Sequence, residues 1–320
     1  MEAKSAALTE LYKQYEALLV TAEEKTTYET ITFTVGEDRV GVITLNRPEA
    51  LNSMNTRMME ELRDCFQGFY VDPAQAACLV LTGAGRGFCA GADLSSGANA
   101  FDRDSRPDRK SVPKLANGEP DWSHDAVRDG GGRVTLRIYE CLKPVIAAVN
   151  GPAVGIGVTM QLPMDIRIAS TKARFGFVFA RRGIVPEACS SYFLPRIVGI
   201  STATEWCFTG RIFGADEAKA RGLVSYVVKP DELLAKAHEI AREIVDNTAP
   251  VSVALTRQML WRTLGADHPM EGHKIDSKGV FARGRQADAK EGVMSFLEKR
   301  KPSYPNKVST DMPGYFPWWD

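Results

Sequence analysis

The sequence has no excess of charge of either sign. Among its 320 residues, Lys plus Arg and Asp plus Glu each number 40. A chain that binds nucleic acid or an anionic membrane surface through its overall charge needs a positive balance. The composition therefore predicts neither partner. Apolar residues at 44% and charged residues at 25% are ordinary proportions for a globular protein.

Metal-binding and disulfide patterns are also missing. The six cysteines form no CxxC pair, and they are scattered through segments that are typical of a core. The four histidines show neither HxxxH nor HExxH spacing. We therefore expect free thiols in a reducing compartment, no disulfide framework and no metal site.

Long apolar runs are absent too, so the sequence predicts no membrane-spanning segment. The apolar residues near the N-terminus are interrupted by Glu10, Lys13 and Glu16, which is unlike a signal peptide. The last residues, PWWD, are not a peroxisomal address of the Ser-Lys-Leu type. The cytoplasm is therefore the predicted compartment.

Short apolar runs alternate with helical segments through the first part of the chain. A hairpin is predicted in TITFTVGEDRVGVITLN, and residues 6–22 have the apolar spacing of an amphipathic helix. Further strands are predicted in AACLVLTGA, KPVIAAVNG, DIRIAS and RFGFVF. Further helices are predicted in SMNTRMMEELRDCFQGFYVD and RVTLRIYECL, and GIGVTMQLPM is expected to begin another. This alternation predicts an α/β fold.

Changes in composition divide the chain. Residues 95–131 are rich in Gly, Asp, Arg, Ser and Pro, and predict a long, partly mobile surface insertion. We expect the aromatic end of the chain to pack on a subunit surface, because freely exposed tryptophans promote aggregation. The predicted units are an N-terminal helical extension (1–26), an α/β core (27–200), a helical region (201–302) and an aromatic tail (303–320).

Two glycine-rich turns follow predicted buried strands. They are GFCAGADLSS at 87–96 and NGPAVGIGV at 150–158. Ligands of α/β proteins bind at the carboxyl ends of strands, and two backbone amides aimed at one point there can stabilise an oxyanion. Glycine turns of this kind often only solve a packing problem, so both interpretations stay open on the pattern alone.

The stretch GIVPEACSS places one carboxylate, Glu187, among small and aliphatic residues. A helix that begins near Pro186 would put Glu187 in its first turn, where the helix dipole favours an acid. Alternatively, a carboxylate in apolar surroundings has a raised pKa and can carry protons. The stretch alone does not separate these two roles.

Several motifs taken together resemble the crotonase family of enoyl-CoA hydratases and isomerases. The motifs are TLNRPEALNSMN, RGFCAGADLS, KPVIAAVNGPAVGIG, LPRIVG and FTGRIFGADEAKARGLVSYVV. They cover about residues 28–302 in the family's order. The resemblance implies a spiral of ββα repeats, a C-terminal helical region that forms trimers or hexamers, and acyl-CoA substrates without a separate cofactor.

The resemblance also implies site residues. The amides of Ala90 and Ile156 occupy the expected positions of an oxyanion hole that binds the thioester carbonyl. Asp93 is a candidate binding residue whose alternative role is to cap a helix. The full set of implied substrate-binding positions is Ala50, Leu51, Ala90, Gly91, Ala92, Asp93, Gly155, Ile156, Gly157 and Phe179.

The chain departs from the hydratase pattern at both acids. The positions where hydratases carry glutamate hold Thr159 and Phe179. Neither can activate water or handle the α-proton well. With PEACSS, the sequence is more similar to the Δ3,Δ2-enoyl-CoA isomerase branch of peroxisomal type, in which a single glutamate at the place of Glu187 moves the proton. The resemblance keeps a peroxisomal location as an alternative.

The sequence therefore predicts an enoyl-CoA isomerase with Glu187 as the acid and base. The alternatives are another reaction of the family, such as hydration, dienoyl-CoA isomerisation or a lyase step, and an acyl-CoA-binding protein without catalysis. A homo-oligomer based on trimers is the predicted assembly.

Overall fold

The computed structural model describes residues 28–71, 76–102, 105 and 111–319. The predicted N-terminal helix at 6–22, and with it the whole of the predicted extension (1–26), lies outside these residues. In the described ranges, no helix has the length and apolar character that crossing a membrane requires.

Within the described residues, nine strands form two sheets. The strands are β1 (Ile31–Val35), β2 (Val40–Leu45), β3 (Cys78–Gly83), β4 (Val145–Val149), β5 (Pro152–Val154), β6 (Ile166–Ser170), β7 (Arg174–Gly176), β8 (Ile212–Gly214) and β9 (Tyr226–Val228). The first sheet has the order β1-β2-β3-β4-β6-β9, and the second has the order β5-β7-β8. The predicted hairpin is present, since β1 pairs with β2 in antiparallel register, whereas the later neighbours in the first sheet are parallel.

Helices follow the strands along the chain. They are α1 (Thr56–Val71), α2 (Gly130–Glu140), α3 (Ile156–Thr159), α4 (Ser190–Val198), α5 (Ile200–Thr209), α6 (Ala215–Ala220), α7 (Leu233–Asn247), α8 (Pro250–Thr263), α9 (Pro269–Arg283) and α10 (Ala287–Glu298).

The chain winds as a spiral of two strands and a helix. β4 joins the first sheet, β5 joins the second, and α3 follows; β6, β7 and α4 repeat the pattern. The main core lies within this spiral, with Leu81, Val149 and Phe177 among its fully enclosed side chains. The uninterrupted apolar composition of β3 and β4 follows from burial on both faces. The predicted α/β spiral is confirmed.

The first sheet continues beyond residue 200, where the sequence placed the end of the α/β core. β9 pairs with β6, and α7 covers the outer face of the sheet through a second core that includes Ile146 and Ile240. The short run YVV carries too little periodicity to be separated from the helices around it. The helical region therefore completes the sheet rather than only following it.

The sequence predicts the helical segments unequally well. A helix does begin in GIGVTMQLPM, as expected, but this helix, α3, has only four residues. Helices α9 and α10 lie within the predicted helical region. The one buried residue of α9 is Gly279, and a helix without an apolar face gives no helical periodicity to detect.

The aromatic tail packs on its own chain. Phe316 is buried with Leu142 and Val251, and Trp318 and Trp319 pack against the same cluster. The Arg262 guanidinium lies 3.2 Å from the centroid of a Trp319 ring. The expected packing surface is thus the subunit that carries the tail.

Candidate active site

A cavity of about 350 Å³ lies where the two glycine-rich turns, the start of α2 and the segment before α4 meet. Most of its wall is apolar, with Met54, Met59, Leu94, Phe101, Val178, Phe179 and Ile184 among the lining residues. A larger cavity, of about 500 Å³, lies beneath the C-terminal residues 304–310, and none of the described residues that line it is acidic. The smaller of these two cavities is lined by the carboxyl groups of Asp129 and Glu187.

The two glycine-rich turns are tied directly to each other. Cys89 donates from its backbone to Pro152 O at 3.0 Å, and Val154 donates to Cys89 O at 3.0 Å. Gly157 makes this approach possible, because a Cβ there would overlap Cys89 O. The turns that the sequence singled out therefore share one cavity wall.

The Ala90 amide is already engaged. It donates to Leu51 O at 3.0 Å, so the expected role of this amide in binding a thioester oxygen does not fit the structure. On either side of Ala92, Gly91 O accepts from Met54 N at 2.8 Å, and Asp93 N donates to Met54 O at 2.9 Å. These bonds leave the Ala92 amide between them without an acceptor among the described residues.

The Ile156 amide has the same property. Ile156 is the first residue of α3, where an N–H group has no acceptor within its own helix. Its neighbour Gly155 donates instead to Gly176 O at 2.9 Å. Ala92 and Ile156 both line the cavity, so the described chain presents two unengaged amides to a ligand there.

Glu187 faces the cavity from an irregular turn. Ala188 and Cys189 both have left-handed backbones, with φ of 53° and 55°, and α4 begins only at Ser190. Of the two alternatives for Glu187, the position in the first turn of a helix is therefore wrong. Proline followed by an acid is typical of a helix start, but the two left-handed residues delay it. The turn aims the carboxyl group inward.

The Glu187 carboxyl group has few stabilising partners. The Thr159 hydroxyl donates to Oε1 at 2.6 Å, and the backbone of Gly131 lies so close to Oε2 that a side chain there would overlap it. Burial, together with the nearby Asp129 carboxyl, raises the pKa of Glu187 to about 8, although the Thr159 bond opposes the rise. The group is therefore protonated at neutral pH and becomes a strong base when ionised.

Asp129 is a site residue that the sequence interpretation missed. It precedes α2, and its Oδ1 accepts from Gly132 N at 2.5 Å and from Ala188 N at 3.2 Å. It thereby joins the start of α2 to the turn that carries Glu187. The run DGGGR contains a capping signal for a helix, but nothing in the sequence links it to a residue so distant along the chain.

The other predicted binding residues divide into two groups. Ala90, Gly91, Gly155, and Phe179 line the cavity, together with Ala92, Ile156 and Glu187. Ala50, Leu51, Asp93 and Gly157 do not line it. Leu51 instead holds the Ala90 amide, and Gly157 packs under Cys89.

Asp93 does not cap a helix. Its Oδ2 lies 2.9 Å from Arg47 Nη1, and its Oδ1 accepts from Ser95 N at 3.0 Å. Burial alone would raise the pKa of Asp93, but the hydrogen bonds from Ser95 and Arg47 bring it below its usual range. This pair anchors the loop of residues 47–54 to the loop that carries Ala92.

Several known proteins are similar to this chain in sequence over most of its length. The 1,2-epoxyphenylacetyl-CoA isomerase of Escherichia coli (strain K12) is 35% identical, over 85% of this chain and 97% of that protein. The enoyl-CoA hydratase ACTT3 of Alternaria alternata is 38% identical over 268 residues, which are 83% of each chain.

Solved structures of enoyl-CoA hydratases are similar to this chain in fold as well as in sequence. An enoyl-CoA hydratase from Bacillus anthracis aligns with a TM-score of 0.75 at 31% identity, over 86% of this chain and 99% of that one. The model of the enoyl-CoA hydratase/isomerase family matches residues 36–307. This match spans most of the chain, and the chain therefore belongs to the enoyl-CoA hydratase/isomerase family.

Proposed function

We propose that this protein is a Δ3,Δ2-enoyl-CoA isomerase of the branch that the sequence resembles. The observation that carries the proposal is the position of Glu187 in the cavity that also presents the Ala92 and Ile156 amides. The substrate is an acyl-CoA thioester, and coenzyme A enters as part of that substrate rather than as a separate cofactor.

The reaction assigns a role to each group. The Ala92 and Ile156 amides donate to the thioester carbonyl oxygen, and ionised Glu187 removes a proton from C2 of the 3-enoyl chain. The electron pair left at C2 delocalises into the carbonyl, and the two amides stabilise the resulting dienolate oxygen. Protonated Glu187 then returns the proton to C4, which leaves the double bond between C2 and C3.

The surroundings of Glu187 suit this proton transfer. A base is most effective when its pKa lies near the working pH, and burial moves the pKa of Glu187 to about 8. The adjacent side chains of Ile156 and Phe179 are largely buried and apolar. They keep water away from the carbanion, and Thr159 fixes one carboxyl oxygen.

Hydration is a second candidate, and Asp129 favours it. Addition of water to a double bond needs one group to activate the water and another to handle the α-proton. Thr159 and Phe179 replace the two hydratase acids, but Asp129 and Glu187 bring two carboxyl groups to the same cavity. The relative ACTT3 is named an enoyl-CoA hydratase.

Purified protein incubated separately with 3-enoyl, 2-enoyl and dienoyl thioesters distinguishes these reactions. We expect conversion of 3-enoyl to 2-enoyl thioester, and we expect Glu187→Gln to reduce its rate about 10²- to 10⁴-fold. Acyl-CoA binding by calorimetry should be retained. An E187Q protein with most of its activity would refute the assignment, whereas hydration of the 2-enoyl thioester alone would establish the second candidate.

We also propose that the chain assembles into trimers or pairs of trimers. Phe208, Phe281 and Phe296, on α5, α9 and α10, are exposed by 77%, 63% and 81% in the single chain. Large apolar side chains at this exposure are typical of surfaces that another subunit covers. Light scattering at micromolar concentration should give a multiple of three, and a monomer mass would refute the proposal.

A further inference from the structure

Asp129 holds the turn that carries Glu187. Its Oδ1 accepts from Ala188 N, the amide next to Glu187, and from Gly132 N in the first turn of α2. Ala188 and the following Cys189 are both left-handed, which is an unfavourable backbone for residues with a side chain. The Asp129 bond therefore helps to keep a strained turn in the conformation that aims Glu187 into the cavity.

Asp129 also lies close to the Glu187 side chain. Both residues line the cavity, and the Asp129 carboxyl group is, after burial, one of the causes that raise the pKa of Glu187. A second carboxyl group at this place disfavours a negative charge on Glu187.

The surroundings of the two carboxyl groups differ. Asp129 is exposed to solvent and accepts two backbone N–H bonds. Glu187 is more buried, and its hydroxyl donor among the described residues is Thr159. Burial and the nearby Asp129 carboxyl group both favour the protonated form of Glu187.

Among the described residues, the other titratable groups near Glu187 do not reverse this preference for the protonated form. Cys89 and Cys189 lie beside the carboxyl group on the two adjoining turns, and burial raises the pKa of both thiols, that of Cys89 to about 12. They are neutral at physiological pH. Arg182 lines the cavity from an exposed position, and it is not among the groups that shift Glu187.

We propose that Asp129 is a positioning residue whose carboxylate fixes the Glu187 turn and keeps the Glu187 proton in place until a substrate enters. This inference rests on the proposed role of Glu187. It predicts that isomerisation becomes faster with rising pH across the neutral range, because only the ionised form of Glu187 can remove the C2 proton.

The decisive variant is Asp129→Asn. Asparagine caps a helix as well as aspartate does, so the two backbone bonds are retained. It also replaces the carboxyl group that helps to raise the pKa of Glu187 with a neutral amide, which favours ionised Glu187. The acid limb of kcat/KM should move down by about one pH unit, so that the fraction of plateau activity at pH 6.5 rises about tenfold. Asp129→Ser is a second variant that caps the helix, should the asparagine protein fail to fold.

Asp125→Asn is the matched control. Asp125 precedes the same helix and pairs with Arg133, but its side chain is 80% exposed and it does not line the cavity. This variant should leave the pH profile unchanged. A D129N protein that loses plateau activity without a shift of the acid limb would reduce Asp129 to a helix cap and overturn the inference.

Infrared titration tests the proton without any substrate. The protonated carboxyl band that E187Q removes should titrate near pH 8 in the unaltered protein and about one pH unit lower in D129N. An unchanged titration overturns the inference. If E187Q instead retains isomerisation, the proposed function fails while this band still reports on the pair, so the two failures are distinguishable.

Discussion

Glu61 and Glu187 are two enclosed glutamates of one chain with similar nearest neighbours. Each accepts from a threonine hydroxyl: Thr30 Oγ1 lies 2.5 Å from Glu61 Oε2, and Thr159 Oγ1 lies 2.6 Å from Glu187 Oε1. Burial alone would raise the pKa of both carboxyl groups. Their pKa values nevertheless move in opposite directions.

The difference lies in their remaining partners. Glu61 also accepts from the amides of Glu29 and Thr30 at 2.8 and 2.9 Å, and Arg57 Nε lies 2.9 Å away. With these bonds, the pKa of Glu61 falls below its usual range. Glu187 has the carboxyl group of Asp129 where Glu61 has a cation, and its pKa rises to about 8.

The comparison shows that a threonine bond does not determine what a buried carboxylate does. When amides and a cation satisfy its oxygens, as for Glu61, the group joins α1 to the chain before β1. When its oxygens are incompletely satisfied and face a cavity, the group can exchange a proton with a ligand. Carboxyl groups that face a cavity and have a strongly shifted pKa are concentrated at functional sites.

Among changes that leave Glu187 itself in place, the largest effect is expected from filling the space beside its carboxyl group. Gly131→Ala would place a methyl group against Glu187 Oε2 and Ile156 Cδ1. The carboxyl group must then move, and a misplacement of about 1 Å lowers rates about a hundredfold. We expect kcat/KM for isomerisation to fall by that factor, as measured by steady-state kinetics.

Gly272→Ala is the matched control for this change. Gly272 is also a helical glycine, and a Cβ there meets no atom within 4 Å. Its activity should be unaltered. Equal activity of the G131A and G272A proteins would show that the position of Glu187 is not critical.

Glu61→Gln should sharpen the comparison through stability. The glutamine amide would face the Glu29 N–H or Arg57 as a second donor, which leaves buried groups unpaired. We expect a loss of about 3 kcal/mol in the free energy of unfolding at pH 7, measured by urea denaturation. The remaining folded protein should isomerise at the normal rate.

The pH dependence of that loss follows from the lowered pKa. Glu61 stabilises the folded chain above its unfolded pKa, and this contribution disappears as the pH falls through the folded value. The difference between the two proteins should therefore shrink below about pH 4. A constant difference would mean that the charge of Glu61 is not the cause.

A feature of the fold or of the candidate site could be predicted from the sequence when neighbouring residues alone determine it. The longer strands, the two glycine-rich turns and the choice of Glu187 as a candidate residue follow from short motifs, whereas the three-residue strands β5, β8 and β9 were not predicted. The partners of these residues do not follow from the motifs. Ala90 and Ala92 are the same residue type in one short motif. Only the hydrogen bond from Ala90 N to Leu51 O shows that the Ala92 amide, and not the Ala90 amide, is available to a ligand.

Asp129 illustrates the same limit over a longer distance. It contacts the Ala188 amide 59 residues further along the chain, and a capping motif before α2 gives no information about that contact. The start of α4 was misplaced for a related reason, because the left-handed backbones of Ala188 and Cys189 arise from tertiary contacts. Local propensity predicts elements, whereas packing decides how they meet.

Glu187→Gln should alter stability in the sense opposite to E61Q. The pKa of Glu187 is ordinarily 4.5 and about 8 in the folded chain. At a pH between these two values, Glu187 has released its proton in the unfolded chain and retains it in the folded chain. Rising pH in that window therefore destabilises the folded protein through this group. Urea denaturation at pH 5 and pH 8 should show E187Q gaining about 3 kcal/mol relative to the unaltered protein between the two pH values. No gain would contradict the raised pKa.

The smallest expected effect comes from the threonine itself. Thr159→Val keeps the shape of the side chain but removes the donor to Glu187 Oε1. Because that bond favours the ionised carboxylate, its loss raises the pKa further and moves the acid limb of kcat/KM upward by about half a pH unit. Activity at pH 7 should fall about threefold, and Thr159→Ser should restore it. Thr30→Val removes the equivalent donor to Glu61 and should lower stability without moving the limb. A downward shift in T159V would show that Thr159 does not stabilise the ionised form of Glu187.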